Sequence, residues 1–217
     1  NYYLFSKLAN CFDVMGRTCE AFTGLKFENL RHILSSDSRI GSWGFFDSLS
    51  AGGSCLIKDS RSLMHQLQSK NKNTALLNET YLANKRQLDN FMNRAVAEAG
   101  FDWRQKKVAI LGLAFKRGTN DIRESAAVKI TELILSKNVK EIAVYDPAAM
   151  ENFKRFFSSV ETIKYSADEA GAIKDADAVI IATDWPQFRE LGDLILQSGK
   201  KVLIMDGKRM LQHKYDE

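Results

Sequence analysis

The sequence predicts an α/β chain in two parts: a helical N-terminal part over residues 1–104, then a doubly wound parallel sheet over residues 105–217. Three observations carry this. Apolar residues recur at helical spacing through most of the first hundred positions. Beyond Lys106 the pattern changes to short continuous apolar runs, the mark of strands covered on both faces. Those runs alternate with amphipathic helical stretches, and such alternation builds parallel β-α-β units.

The elements follow in order. YYLFSKLANCFDVMGRTCEAFTG predicts the first helix, with Leu4, Leu8, Cys11, Phe12, Met15, Cys19 and Phe22 on its apolar face and Gly24 as its C-cap. KFENLRHILSS is a second, shorter amphipathic segment. DSRIGSWGFFDSLSAGGS, rich in Gly and Ser with interspersed aromatics, is a loop too long to be a mere connector. From Ser60 to about Ala99 the residues Leu63, Leu67, Leu76, Leu77, Leu82, Leu88, Phe91, Met92 and Val96 sustain a long amphipathic stretch. The polar patch SKNKN is the place for a break into two helices, and Gly100 ends the pattern. The strands are expected in KKVAILGLAF, EIAVYDP, VETIKYS, ADAVIIATDW and KVLIMDGKRM. Helices are expected between them, over Ser125 to Ser136 and Met150 to Phe157 among others. Pro147 and Pro186 both fall just after strand ends, where they disturb no ladder.

Composition sets bounds on function. The chain has 217 residues, 45% apolar and 27% charged, which suits a globular protein able to bury a sizeable core. A net charge of +4 favours a small anionic ligand but is far from the basic stripe of a nucleic-acid binder. No apolar run has the length of a membrane span, and the first residues lack a signal peptide's order of charge and apolarity. Three cysteines, sparse and odd in number, argue for a reducing, cytoplasmic setting, and no Cys/His spacing suggests zinc.

Cys55 in AGGSCLIKD is the first chemical signal. Gly52 and Gly53 let the backbone turn sharply and approach a ligand, and a helix starting there stabilises a thiolate at its positive end. Lys58 adds a cation and Asp59 a carboxylate that can orient or deprotonate a water. A structural thiol behind a glycine turn is the alternative on local features. Cys11 and Cys19 belong to the apolar helix face. The second signal is LGLAFKRGTNDIRES, where a strand runs into a helix and ligands of open α/β sheets gather. It is not a GxGxxG fingerprint; Lys116 and Arg123 can bind phosphate by charge, and taken alone the segment reads first as a solvated strand-to-helix loop with ordinary capping. Asp206, Lys208 and Arg209 follow the last strand on the same sheet edge. Asp146 can accept a ribose hydroxyl or form a turn with Pro147.

Together these segments resemble the UDP-glucose/GDP-mannose dehydrogenase family of nucleotide-sugar 6-dehydrogenases. GGSCLIKD is similar to the family's catalytic GGSCxPKD, GLAFKRGTNDIRESAA to its GxAFKxxTDDxRESPA, and DSRIG to its substrate-loop arginine segment. VYDP, ATDWPQF and DGKR fall in the right order behind them. The resemblance implies a central helical dimerisation domain followed by a Rossmann-like UDP-sugar domain. It makes Cys55 the nucleophile that carries a thiohemiacetal and then a thioester, Asp59 the water-organising carboxylate, and Asn1 the asparagine of the KxxxN motif. It implies substrate contacts at Arg39, reaching a neighbouring subunit's substrate, and at Gly52, Gly53, Phe115, Lys116 and Lys208. Lys58 and Arg123 are the candidate cofactor contacts.

The implied cofactor is NAD and the implied partners are a UDP-sugar and a second copy of the chain, with no nucleic acid and no membrane. The chain departs from the pattern at Ile57, for the motif's proline, at Ala51, for an aromatic, and at Lys208, for an arginine. It starts at the asparagine of KxxxN, so the resemblance places the motif's lysine and the NAD-binding domain outside it and predicts no turnover by this chain alone. TDWPQF resembles the TEWxxF of the family's UDP-glucose enzymes, and that resemblance implies UDP-glucose as substrate. GDP-mannose, or a nucleotide-sugar-binding dimerisation module without catalysis, are the alternatives.

Overall fold

A computed structural model describes residues 1–45, 49–197 and 199–211. The predicted loop over 37–54 thus lies partly outside the described residues, at 46–48. The chain folds as two compact units, Asn1–Asn90 and Phe91–Glu217.

The first unit is helical. α1 (Tyr2–Ala9), a π-helical turn over Asn10–Met15 and α2 (Gly16–Ala21) run on as one helical stretch. Its buried face is Phe5, Leu8, Ala9, Cys11, Phe12 and Met15, a set at i, i+3, i+4 and i+7 spacing. The sequence assigned Leu4 and Phe22 to that face, but both are exposed, and Cys19 is only half-buried. Phe5, one position from Leu4, takes the core position with no exposure at all. α3 (Phe27–Ser36) follows, then α4 (Ser54–Gln68) and α5 (Ala75–Ala97). SKNKN breaks the long stretch as its composition predicts. Asn71 turns left-handed (φ 54°), and the Lys72 amide caps the Leu67 carbonyl. At the far end Gly100 (φ 58°) takes the left-handed position that closes α5, with the Phe101 amide bonded to the Ala95 carbonyl. Phe5 and Leu8 of α1, Phe12 of the π-helical turn, Ile57 of α4 and Ala83 of α5 pack into one core, and Ala51 of the loop joins it.

The second unit is the predicted sheet. β1 (Lys107–Leu111), β2 (Glu141–Tyr145), β3 (Ile163–Tyr165), β4 (Ala178–Ile181) and β5 (Leu203–Asp206) pair in parallel, in the order β3-β2-β1-β4-β5. α6 (Ala126–Leu135), α7 (Met150–Phe156), α8 (Glu169–Ile173) and α9 (Leu191–Gln197) fill the crossovers. Alternate strand residues Ala109, Leu111, Ala143, Val179 and Ile181 face a core with Ala172, Phe188, Leu191 and Ile195, the side of α8 and α9. Val108, Ile110, Ile142, Val144 and Ile180, equally buried, face the other side, to which right-handed crossovers carry α6 and α7. The winding direction reverses between β1 and β4. That reversal opens a crevice at the carboxyl ends of these two strands, the usual ligand position in an open α/β sheet. Among the described residues no helix is long and apolar enough to cross a membrane.

Candidate active site and nucleotide-sugar site

In the first unit the chemistry gathers at the start of α4. Gly53 adopts φ 78°, ψ 159°, a backbone conformation reserved in practice for glycine, and acts as N-cap of α4. Its neighbour Gly52 needs no such freedom. Cys55 is the second residue of α4 and its side chain is exposed. Asp59, one turn on, shares its face of the helix. The Asn1 side chain, at the N-cap of α1, donates from Nδ2 to Asp59 Oδ2, and Lys58 Nζ lies 3.4 Å from Asp59 Oδ1. The Asn1 hydrogen bond holds the Asp59 carboxyl below the usual carboxylate range; its slight burial opposes this and Lys58 assists. Asp59 is therefore an anion at neutral pH, as a water-orienting group must be.

The loop ahead of Cys55 is anchored by residues that the motif reading missed. Asn84 of α5, 3% exposed, accepts from the Ala51 amide at 2.6 Å and donates to the Ala51 carbonyl at 3.2 Å. Lys7 of α1 donates to the Ile40 carbonyl at 2.8 Å, and its ammonium sits 5.9 Å from the Trp43 ring centre and 5.6 Å from that of Phe45. The signal for Asn84 was present: it is a lone amide on the buried stripe Leu77, Thr80, Ala83, Leu88, Met92. Lys7 carried no such signal, because its partners are a carbonyl and rings more than thirty positions away. Arg39, in the same loop, is well exposed and its guanidinium pairs with Asp37 at 2.6 Å.

In the second unit the turn after β1 is held by buried polar groups. Gly112 (φ 86°) passes so close to Thr183 that a Cβ there would lie 2.5 Å from the Thr183 Cβ. Asp146, 1% exposed at the end of β2, accepts through Oδ2 from the Leu113 amide (2.7 Å), the Ala114 amide (3.1 Å) and Trp185 Nε1 (3.0 Å). Its Oδ1 accepts from the Ala148 and Ala149 amides, both at 2.8 Å. Between the sequence's two readings of Asp146, ribose ligand and turn former, these five bonds select the turn former. Thr183 Oγ1 donates to the Ala114 carbonyl at 2.6 Å and Ser125 Oγ to the Leu113 carbonyl at 2.7 Å.

Beyond this anchor Phe115 is half-buried and Lys116 exposed, its ammonium 5.4 Å from the Phe115 ring centre. Arg123 forks onto Asp121, with Nη2 to Oδ2 at 2.7 Å and Nε to Oδ1 at 3.0 Å. The turn does not fit a dinucleotide pyrophosphate. The amides of Leu113 and Ala114, which a phosphate would need, are taken by Asp146. The two cations assigned to the cofactor, Lys58 and Arg123, each pair with a neighbouring carboxylate.

A cleft of about 560 Å³ opens at the carboxyl ends of the strands, lined by Arg117, Asp184, Arg189, Glu190, Lys208, Arg209 and Met210. It draws on the segments after β1, β4 and β5, and it gathers Lys208 with three arginines beside two carboxylates. Arg117 lies 3.7 Å from Asp184. Arg209 is held in the left-handed region (φ 50°), an uncommon conformation for a long side chain. Asp206 forms this turn by accepting from the Lys208 amide at 3.0 Å and the Leu211 amide at 2.8 Å. Of the residues the sequence singled out, Lys208 and Arg209 line the cleft. Arg117 and Arg189 were not singled out, since lone arginines in loops are ordinary surface residues until folding groups them.

The geometry can now be set beside known proteins. Residues 1–86 match the profile of the UDP-glucose/GDP-mannose dehydrogenase family, central domain, and residues 109–213 that of the same family's UDP binding domain. UDP-glucose 6-dehydrogenase AglM of Haloferax volcanii is 31% identical over 99% of this chain and 48% of its own length. UDP-glucose 6-dehydrogenase of Rickettsia conorii is 29% identical over 99% of this chain and 49% of its own. The chain thus spans about half the length of these relatives. A UDP-glucose dehydrogenase structure from the hyperthermophilic archaeon Pyrobaculum islandicum superposes with a TM-score of 0.84 at 26% identity, over 98% of this chain and 46% of that one. GDP-mannose dehydrogenase of Pseudomonas aeruginosa, at 22% identity and a TM-score of 0.62 over 95% of this chain and 47% of that one, shares the fold. Two consecutive matches to one family, covering the helical unit and the sheet, show that the chain belongs to the UDP-glucose/GDP-mannose dehydrogenase family.

Proposed function

We propose that this chain is the central and nucleotide-sugar-binding part, residues 1–104 and 105–217, of an NAD-dependent 6-dehydrogenase that converts UDP-glucose to UDP-glucuronate. The observation that carries this is the exposed Cys55 on the first turn of α4, behind Gly53, with the anionic Asp59 one turn on. These residues supply the covalent half of the reaction. Cys55 Sγ bonds to the C6 carbonyl carbon of the aldehyde as the C=O π pair moves onto oxygen, which takes up the thiol proton to give a thiohemiacetal. At the thioester stage Asp59 takes a proton from a water whose oxygen bonds to C6. The C–S bond breaks, leaving the uronic carboxylate and the Cys55 thiol. Asn1 and Lys58 keep Asp59 ionised and aimed. The two oxidations belong to NAD, for which the β1–α6 turn offers no pyrophosphate site.

Lys116, with Phe115 beneath it, and Lys208, with Arg117 and Arg189, are the cations that would meet the UDP diphosphate. Calorimetric titration tests this reading. UDP-glucose is expected to bind and GDP-mannose to bind far more weakly. Lys116→Ala is expected to weaken UDP-glucose roughly ten- to a hundredfold, as for a lost charge-assisted contact. In the full-length enzyme Cys55→Ser is expected to bind UDP-glucose normally and release no UDP-glucuronate. Preference for the GDP sugar would move the assignment to GDP-mannose; full turnover by the serine variant would remove Cys55 from the mechanism.

The helical unit is also the proposed dimer surface. α3 is amphipathic yet buries no residue, and Tyr3, Phe22, Ile33 and Leu76 are all more than 60% exposed. Light scattering is expected to give twice the chain mass, and Ile33→Glu to shift it toward one chain. A monomeric wild type would exclude this surface.

A further inference from the structure

We infer that Asn84 is a positioning residue for Cys55: its amide fixes the direction in which the chain enters α4. The inference rests on the reading of Cys55 as the nucleophile. Asn84 and the Ala51 peptide form a closed pair of hydrogen bonds, 2.6 Å from the Ala51 amide to Oδ1 and 3.2 Å from Nδ2 to the Ala51 carbonyl. Both residues are buried, at 3% and 4% exposure, so neither peptide group has water as a substitute partner. Ala51 also packs into the core with Phe5, Ile57 and Ala83. The two bonds set the direction of the chain at Ala51, and the packing adds to the stability of the core. Two residues later Gly53 makes its left-handed turn, and two residues after that stands Cys55. With Ala51 fixed and the Gly53 torsions set, little freedom remains in where the Cys55 side chain points.

Residue type matters here. Only a planar side-chain amide offers a donor and an acceptor side by side to match one residue's carbonyl and N–H. Aspartate keeps the acceptor and loses the donor. Glutamine carries the amide one methylene too far into a packed core.

The test follows alkylation of Cys55 by iodoacetamide, read by peptide mass spectrometry with the half-buried Cys19 as internal reference. Asn84→Ala is expected to slow Cys55 about two- to fivefold, the scale of one helix-terminus charge interaction, as the first turn of α4 loosens. Cys19 is expected to keep its rate. Asn84→Asp, which keeps the bond from the Ala51 amide, is expected to recover part of the loss. Ile57→Val, a trim of the same core, is expected to lower Tm and leave the Cys55 rate unchanged. An unchanged Cys55 rate in folded Asn84→Ala, or an equal slowing in Ile57→Val, overturns the inference. Hydrogen exchange of the wild-type Ala51 amide decides the matter where the variants do not fold. Protection like that of the α5 amides supports the clamp, and rapid exchange overturns it. Each readout concerns the geometry of Cys55 and not turnover, so its failure is distinct from failure of the catalytic assignment.

Discussion

Asp146→Ala is expected to destabilise the second unit by at least about 3 kcal/mol, because five donors lose their acceptor in a site with almost no water access. Thermal unfolding should show a fall in Tm of roughly 10 °C. Asn is expected to rescue little. Whichever way its amide is set, an NH₂ group replaces an oxygen that accepts two or three N–H donors. The same carboxylate joins the turn after β1, the turn after β2 and Trp185 after β4. Loss of Asp146 should therefore also weaken UDP-glucose binding in protein that remains folded, since Phe115 and Lys116 stand on the first of these turns. A loss of less than about 1 kcal/mol in Asp146→Ala would show that water or a shifted backbone replaces the carboxylate, and the account of a dry polar hub would be wrong.

Gly112→Ala is the second large effect, and its cause is steric. Position 112 has φ 86°, where an alanine is strained by about 1–2 kcal/mol. Its Cβ would also lie 2.5 Å from the Thr183 Cβ and 2.6 Å from the Thr183 backbone nitrogen. Relief requires β1 and β4 to part at the point where the sheet's winding reverses, and overpacking of this kind costs about 1–3 kcal/mol more. The expected total is on the order of 2–5 kcal/mol. The distinguishing expectation concerns the double variant Gly112→Ala/Thr183→Ala. It should recover little, because of the three clashing Thr183 atoms alanine removes only Oγ1, at 2.8 Å, and retains the two nearer ones, the Cβ and the backbone nitrogen. Recovery in the double variant, measured by denaturant titration, would show that the threonine's outer atoms cause the conflict and that the backbones have room.

The two effects mark where sequence reading reached and where it stopped. The strand runs, their alternation with helices and the break at SKNKN are local patterns, and the structure reproduces each of them. The face of the first helix was legible to within one residue only as far as Met15: Phe5, not Leu4, fills the core, because a face read from spacing alone leaves the rotation of the helix open by part of a turn. Cys55, Asp59 and the glycines before them were legible as a motif, and Asn1 meets Asp59 from fifty-eight positions away. Asn84 carried a signal that the motif reading passed over, and Lys7, Arg117 and Arg189 carried none. Their partners are backbone carbonyls, amides and loops that come near only after folding, and no local spacing marks them.

By itself the sequence determined the periodicities, hence the helical unit and the parallel sheet, and the residue types that can do chemistry at the start of α4 and after β1. Those depend on interactions within a few residues or on which side chains avoid water. Tertiary structure alone decided which polar groups became anchors and which came to line the cleft. Asp146 could have met a ribose, but the fold surrounds it with five N–H and indole donors. Arg117, Arg189 and Lys208 could have been scattered surface charge, but the carboxyl ends of β1, β4 and β5 bring them to one cleft. Burial makes an unmet hydrogen bond costly, and only the three-dimensional fold determines which groups are buried together.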